Sequence, residues 1–146
     1  MAQIVLDASV AVKLFKKEEY TELALKIYNS YLDESLDILV PSLFYYEVLN
    51  SLRFSMTFSE KELEEAIKTI DKLNLSKFDL NGAVAQKAMR LSLKFKISIY
   101  DAAYVALAEI MNTILYTADD KLIIKTKLPF IKHLREFEGR KYPERQ

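Results

Sequence analysis

The sequence predicts a single α/β domain built on a mainly parallel sheet of four or five strands. Short apolar runs recur along the chain, stretches with helical spacing of apolar residues separate them, and 146 residues at 51% hydrophobic content suit one domain with a sizeable core. Ile4-Val5-Leu6, closed by Asp7, reads as the first strand, and Ala8–Lys16, with Val12 and Phe15 in helical register, as the helix after it. Thr21–Leu32 places Ala24, Ile27, Tyr28 and Tyr31 on one helical face, and Ile38-Leu39-Val40 before Pro41 is the second strand. Ser42 is expected to cap a helix reaching about Phe54.

Ser59 and Glu62 form a capping-box pattern ahead of a helix with the stripe Leu63, Ile67, Ile70 and Leu73. Leu75–Asp79 is the third strand, and Val84, Ala88, Leu91 and Phe95 mark the core side of the following helix. Ser98 caps a helix running to about Met111, Thr113–Thr117 is the fourth strand, and Asp119 or its neighbour starts a short helix. Phe130–His133 is expected as a fifth, edge strand, which makes residues 1–137 the domain and 138–146 a C-terminal tail.

Composition removes several chemistries. No apolar run approaches the roughly 18 residues of a membrane span, and the first seven residues read as a strand rather than a signal peptide, so a soluble, cytoplasmic protein is expected. The absence of cysteine rules out disulfides, thiolate metal sites and a cysteine nucleophile, and the lone His133 cannot supply a two-histidine metal site. With Gly82 and Gly139 as the only glycines, neither a P-loop nor a dinucleotide fingerprint can form. Net charge is zero, so any contact with nucleic acid must be local. The most basic part is 119–146, which reads first as a solvated tail; Lys87, Arg90 and Lys94 form a second basic stripe, whose default reading is a solvated helix face.

Four acids stand out. Asp7, Glu47, Asp101 and Asp119 each interrupt or close a mostly apolar stretch, where an isolated carboxylate is costly unless something gathers and neutralises it. A hard divalent cation such as Mg²⁺ or Mn²⁺ takes oxygen ligands and leaves coordination positions for water and phosphate, which points to metal-dependent phosphodiester hydrolysis. Asp7 and Asp119 follow strands and can project into the crevice at a switch point of a parallel sheet; Glu47 and Asp101 come from early turns of helices that can begin at the same edge. Asp7 and Asp119 can equally be helix caps, and Asp101 fits the last position of a Ser-x-x-Asp cap. Glu47 resists that explanation: it lies beyond the first turn, and Arg53, six positions on, is at a poor helical spacing for an ion pair. Tyr45, Tyr46, Tyr100 and Tyr104 flank two of these acids and fit either stacking on unpaired bases or a place in the core or a dimer interface.

Asp7-Ala8-Ser9, a helical Glu47, the segment Tyr100-Asp101-Ala102-Ala103-Tyr104-Val105-Ala106-Leu107-Ala108 and Thr117-Ala118-Asp119 together resemble the PIN-domain family, especially the VapC-type toxins. Each motif is short, but their order and spacing match over nearly the whole chain. The resemblance implies a three-layer α/β/α fold, Mg²⁺- or Mn²⁺-dependent endoribonuclease activity on RNA, a homodimer, and a VapB-like antitoxin that blocks the site. It makes Asp7, Glu47, Asp101 and Asp119 the acidic quartet, Ser9 and Thr117 the hydroxyls that orient carboxylates, and Lys13 a candidate phosphate contact. Asp120 departs from the simplest form of the last motif by setting a second acid beside Asp119. Competing readings are a non-catalytic PIN-fold binding or assembly module, a DNA nuclease of related fold, and a phosphoacceptor receiver domain, which normally needs an acidic pair after its first strand where this chain has Asp7 alone.

Overall fold

In the computed structural model, which describes residues 2–138, five strands form one parallel sheet in the order β3-β2-β1-β4-β5. The strands are β1 (Ala2–Leu6), β2 (Leu36–Pro41), β3 (Ser76–Phe78), β4 (Ile114–Thr117) and β5 (Ile131–His133). The helices are α1 (Ala8–Ala11), α2 (Thr21–Leu32), α3 (Leu43–Phe54), α4 (Glu60–Leu73), α5 (Gly82–Phe95), α6 (Ile99–Ile110) and α7 (Asp120–Thr126). The chain moves outward from β1 through β2 to β3, then returns across the sheet to β4 and β5 on the other side of β1. Right-handed crossovers in opposite directions put their helices on opposite faces, which gives the three-layer α/β/α arrangement.

The central strands read as unbroken apolar runs because helices cover both faces. Ile4, Val5 and Leu6 in β1 and Ile38, Leu39 and Val40 in β2 are all buried. Helix α6 lies against β1, β2 and β4, with α5 packed on it. Its residues from Ala102 to Ala108 are all buried, and four alanines among them let the helix sit close to the sheet. At the other end of the chain, Phe137 is buried with its ring edge-on to Tyr116, 5.4 Å between centroids, so β4 packing extends to that residue. The expected tail, 138–146, lies outside the described residues apart from Glu138.

Two local expectations are corrected. The helix after β1 does not run to Lys16: α1 ends at Ala11 and tightens into a 3-10 turn, Val12–Leu14. Ser42 gives α3 no side-chain cap, because its backbone is already helical (φ −55°, ψ −31°); its hydroxyl donates to Asp79 after β3. The Ser59 capping box forms with both reciprocal bonds, Glu62 N–H to Ser59 Oγ at 3.1 Å and Ser59 N–H to Glu62 Oε1 at 2.8 Å. Ser98 caps α6 by accepting the Asp101 N–H at 3.0 Å.

Candidate functional site

Strand order reverses at β1, so the crevice between the carboxyl ends of β1 and β4 is where a parallel sheet presents a ligand site. Asp7 is the residue after β1, and its N–H bonds Tyr116 O of β4 at 3.0 Å, which ties it to that edge. Two hydroxyls converge on one oxygen of its carboxylate: Ser9 Oγ donates to Oδ2 at 2.8 Å and Thr117 Oγ1 to the same atom at 2.7 Å. Each hydroxyl also accepts a backbone N–H from the loop after β4, Ser9 from Ala118 and Thr117 from Asp119, both at 3.0 Å. Ser9 and Thr117 therefore stitch the end of β1 to the end of β4 while orienting Asp7.

Helices α3 and α6 follow β2 and precede β4, so both begin at the carboxyl edge of the sheet and bring Glu47 and Asp101 to the same crevice. Glu47 is held across that crevice by Tyr104, whose hydroxyl donates to Oε1 at 2.7 Å. Asp119 caps α7, accepting the Lys121 N–H on Oδ1 at 2.9 Å. Each of Asp7, Glu47 and Asp119 thus has one oxygen engaged by a donor, which favours presenting its other oxygen singly. Single-oxygen ligation suits a small octahedral ion that keeps several waters better than a larger ion wanting bidentate carboxylates.

The four acids form one electrostatic set. Burial is the largest influence on Asp7, Glu47 and Asp101, and it raises the pKa of each above the usual carboxylate range. The bonds from Thr117 and Ser9 pull Asp7 back down, and the Tyr104 bond does so for Glu47. Mutual repulsion pushes up: Asp7 feels Asp119, Glu47 feels Asp7 and Asp101, and Asp101 feels Asp7 and Asp119. Among the described residues none of the four is in an ion pair, and Lys125 pulls the pKa of Asp101 back down.

An all-oxygen set of part-buried carboxylates with no ion pair among the described residues fits a divalent cation. The fit is to an open site: among the described residues no three Asp, Glu or His side chains are drawn close enough to cage an ion by themselves. Mg²⁺ is ordinarily bound through one or two carboxylates with waters and substrate phosphates completing the shell, so an open set is compatible with it.

Of the remaining sequence candidates, Asp120 turns away: it is exposed, 3.1 Å from Arg135 and 4.0 Å from the His133 ring. Lys13 is buried with its ammonium 3.2 Å from Glu18, so contact with a substrate phosphate requires that pair to open. Lys87 pairs with Glu109 at 2.9 Å and Lys94 lies over the Phe95 ring, which leaves the α5 stripe partly self-satisfied. Tyr104 is 1% exposed and unable to stack on a base, whereas Tyr46 and Tyr100 are exposed. The bond from Tyr104 to Glu47 was missed from sequence because the two residues are 57 positions apart; a polar tip three residues past Asp101 in an otherwise alanine-rich helix was its one signal.

A family model described as the PIN domain matches residues 4–127. Ribonuclease VapC3 of Pyrobaculum aerophilum is 31% identical over 127 residues, covering 84% of this chain and 94% of the relative. Among solved structures, a toxin-antitoxin complex from Klebsiella pneumoniae superposes with a TM-score of 0.67 at 15% identity, covering 92% of this chain and 99% of the other. Mycobacterium tuberculosis VapC20, described as a toxin cleaving the sarcin-ricin loop, does so with 0.65 at 12% identity, covering 84% and 95%. At those identities the structural likenesses bear on the fold alone. The family match over most of the chain and the curated relative together establish that this chain belongs to the PIN-domain family.

Proposed function

We propose that this chain is a metal-dependent endoribonuclease, the toxin of a VapBC-type pair, with Asp7, Glu47, Asp101 and Asp119 as its acidic site and a VapB-like antitoxin as its partner. The observation that carries the reading is the acidic set itself: part-buried carboxylates from four separate segments, mutually repelling and in no ion pair among the described residues. The 31% identity to Ribonuclease VapC3 over nearly its whole length supports RNA as substrate, and the toxin-antitoxin complex among the structural neighbours is compatible with the partner.

Mg²⁺ or Mn²⁺ held by these carboxylates would supply Lewis-acid chemistry to a water and to phosphate oxygens. The chain's own residues prepare the place. Ser9 and Thr117 fix the rotamer of Asp7 through Oδ2, Tyr104 fixes Glu47 through Oε1, and the cap at the start of α7 fixes Asp119. Asp7 and Asp101 would be the main direct ligands, while Glu47 would complete the site or hold the proton of the attacking water. Asp119 is favoured over Asp120 as the fourth acid because Asp120 is engaged by Arg135. Lys125, exposed and near Asp101, is available to a substrate phosphate as Lys13 is not. Residues 1–137 would form the catalytic domain, acting as a homodimer.

Cleavage of labelled RNA and DNA oligonucleotides with Mg²⁺, Mn²⁺ or EDTA, beside an Asp7→Asn variant, tests the reading. RNA cleavage that needs metal and disappears in the variant supports it. Equal cleavage by both proteins removes the catalytic assignment, and cleavage of DNA alone makes the chain a DNA nuclease of related fold.

A further inference from the structure

We infer that Tyr104 is a positioning residue whose hydroxyl holds Glu47 in the geometry that serves the cation, an inference that rests on the acidic-site reading above. Tyr104 sits in α6 one turn after Asp101, and its side chain is buried to 1% exposure. A tyrosine so deep needs a partner for its hydroxyl. It has one: the hydroxyl donates to Glu47 Oε1 at 2.7 Å. The bond therefore joins α6, which carries Asp101, to α3, which carries Glu47, two of the segments that deliver the acids.

Two consequences follow from the chemistry. Glu47 and Asp7 repel each other, so a glutamate with three rotatable bonds would swing towards solvent unless something restrains it. The Tyr104 bond is the recorded restraint on the Glu47 carboxylate, and a donor 2.7 Å from a carboxylate oxygen is a strong, charge-assisted one. It also commits Oε1 and leaves Oε2 as the oxygen available to a cation or a water.

The experiment uses the 146-residue chain as wild type, Tyr104→Phe, Glu47→Ala, the double variant and Asp7→Asn. Mn²⁺ binding is measured by titration calorimetry, RNA cleavage is measured against Mn²⁺ concentration, and thermal melts without metal check folding. Removing an outer partner of a metal ligand typically costs ~10–100-fold in affinity or activity. Tyr104→Phe is expected to weaken Mn²⁺ binding and raise the half-saturating Mn²⁺ for cleavage by about 10-fold or more, with KM for RNA unchanged, and to cost nothing further in the Glu47→Ala background. Wild-type Mn²⁺ affinity in Tyr104→Phe, with binding lost in Asp7→Asn, overturns the inference and leaves the acidic site standing. An equal loss with and without Glu47 makes Tyr104 a structural residue and also overturns it. A wild-type chain that neither binds Mn²⁺ nor cleaves RNA removes the acidic-site reading and this inference with it.

Discussion

Replacing Thr117 by valine isolates what a single hydroxyl does at the switch point. Thr117 is fully buried, and valine matches its shape, so packing is nearly preserved while two hydrogen bonds vanish: the donation to Asp7 Oδ2 at 2.7 Å and the acceptance of the Asp119 N–H at 3.0 Å. A bond to a charged group contributes about 1.5–3 kcal/mol, and a buried N–H left unsatisfied costs about 1–3 kcal/mol. Asp7 and Asp119 are only part-buried, so water can recover some of this, and we expect a loss of about 2–4 kcal/mol. At about 3 °C per kcal/mol for a domain of this size, Tm should fall by about 6–12 °C. Mn²⁺ affinity should also fall by ~10–100-fold, since Asp7 loses one of the two donors that orient it. Thr117→Ser keeps both bonds and loses one methyl, so it should cost only about 1 kcal/mol and leave Mn²⁺ affinity intact. Urea denaturation and titration calorimetry on the three proteins give the answer. A Thr117→Val protein as stable and as metal-avid as Thr117→Ser would refute the claim that the hydroxyl links the two acids.

The remaining predictions follow from the same geometry. Asp7, Glu47 and Asp101 bind protons more tightly when folded than when unfolded, so without metal their contribution to stability falls as pH rises from the ordinary carboxylate range through their raised values. Metal-free Asp7→Asn should therefore melt above wild type at pH 7, the gap should shrink as pH falls, and Mg²⁺ should raise the melting temperature of wild type alone; a gap independent of pH in melting curves would contradict this. Asp119→Asn should abolish RNA cleavage, whereas Asp120→Asn, which loses contacts to Arg135 and the His133 ring outside the acidic set, should retain it; the reverse order in a cleavage assay would make Asp120 the fourth acid. Ser59→Ala removes the α4 capping box and should cost about 1 kcal/mol in denaturant unfolding with no change in cleavage rate, which separates damage to the fold from damage to the site.

Periodicity made most of the architecture legible. The helical register of Thr21–Leu32 matches α2 to the residue, and the Ser59 box forms as its spacing required, because both depend on contacts within one turn or one face. Ser42 failed as a cap for a non-local reason: its backbone is already helical, tied by its N–H to Phe78 O at 2.9 Å once β3 lies beside β2. The short α1 has the same kind of cause, since the chain must turn back after β1 and tightens into a 3-10 turn within the window where spacing alone reads as continuous helix. The four acids were readable as charges in apolar surroundings. Of what holds them, Ser9 and Thr117 were legible through the family resemblance as the hydroxyls that orient a carboxylate, whereas the Tyr104 donor to Glu47 was not, because no local pattern encodes a bond across 57 residues. The engagement of Lys13 by Glu18, five positions on, falls in a loop without periodicity to announce it.

The most direct test of the central claim is a crystal of the chain grown with Mn²⁺ and examined by anomalous scattering. An anomalous peak within about 2.0–2.3 Å of Asp7 and of at least one of Asp101, Glu47 and Asp119, with water in its remaining positions, is the predicted result. A peak bound elsewhere, or an acidic crevice with no peak in crystals of a protein that cleaves RNA with Mn²⁺, would contradict it.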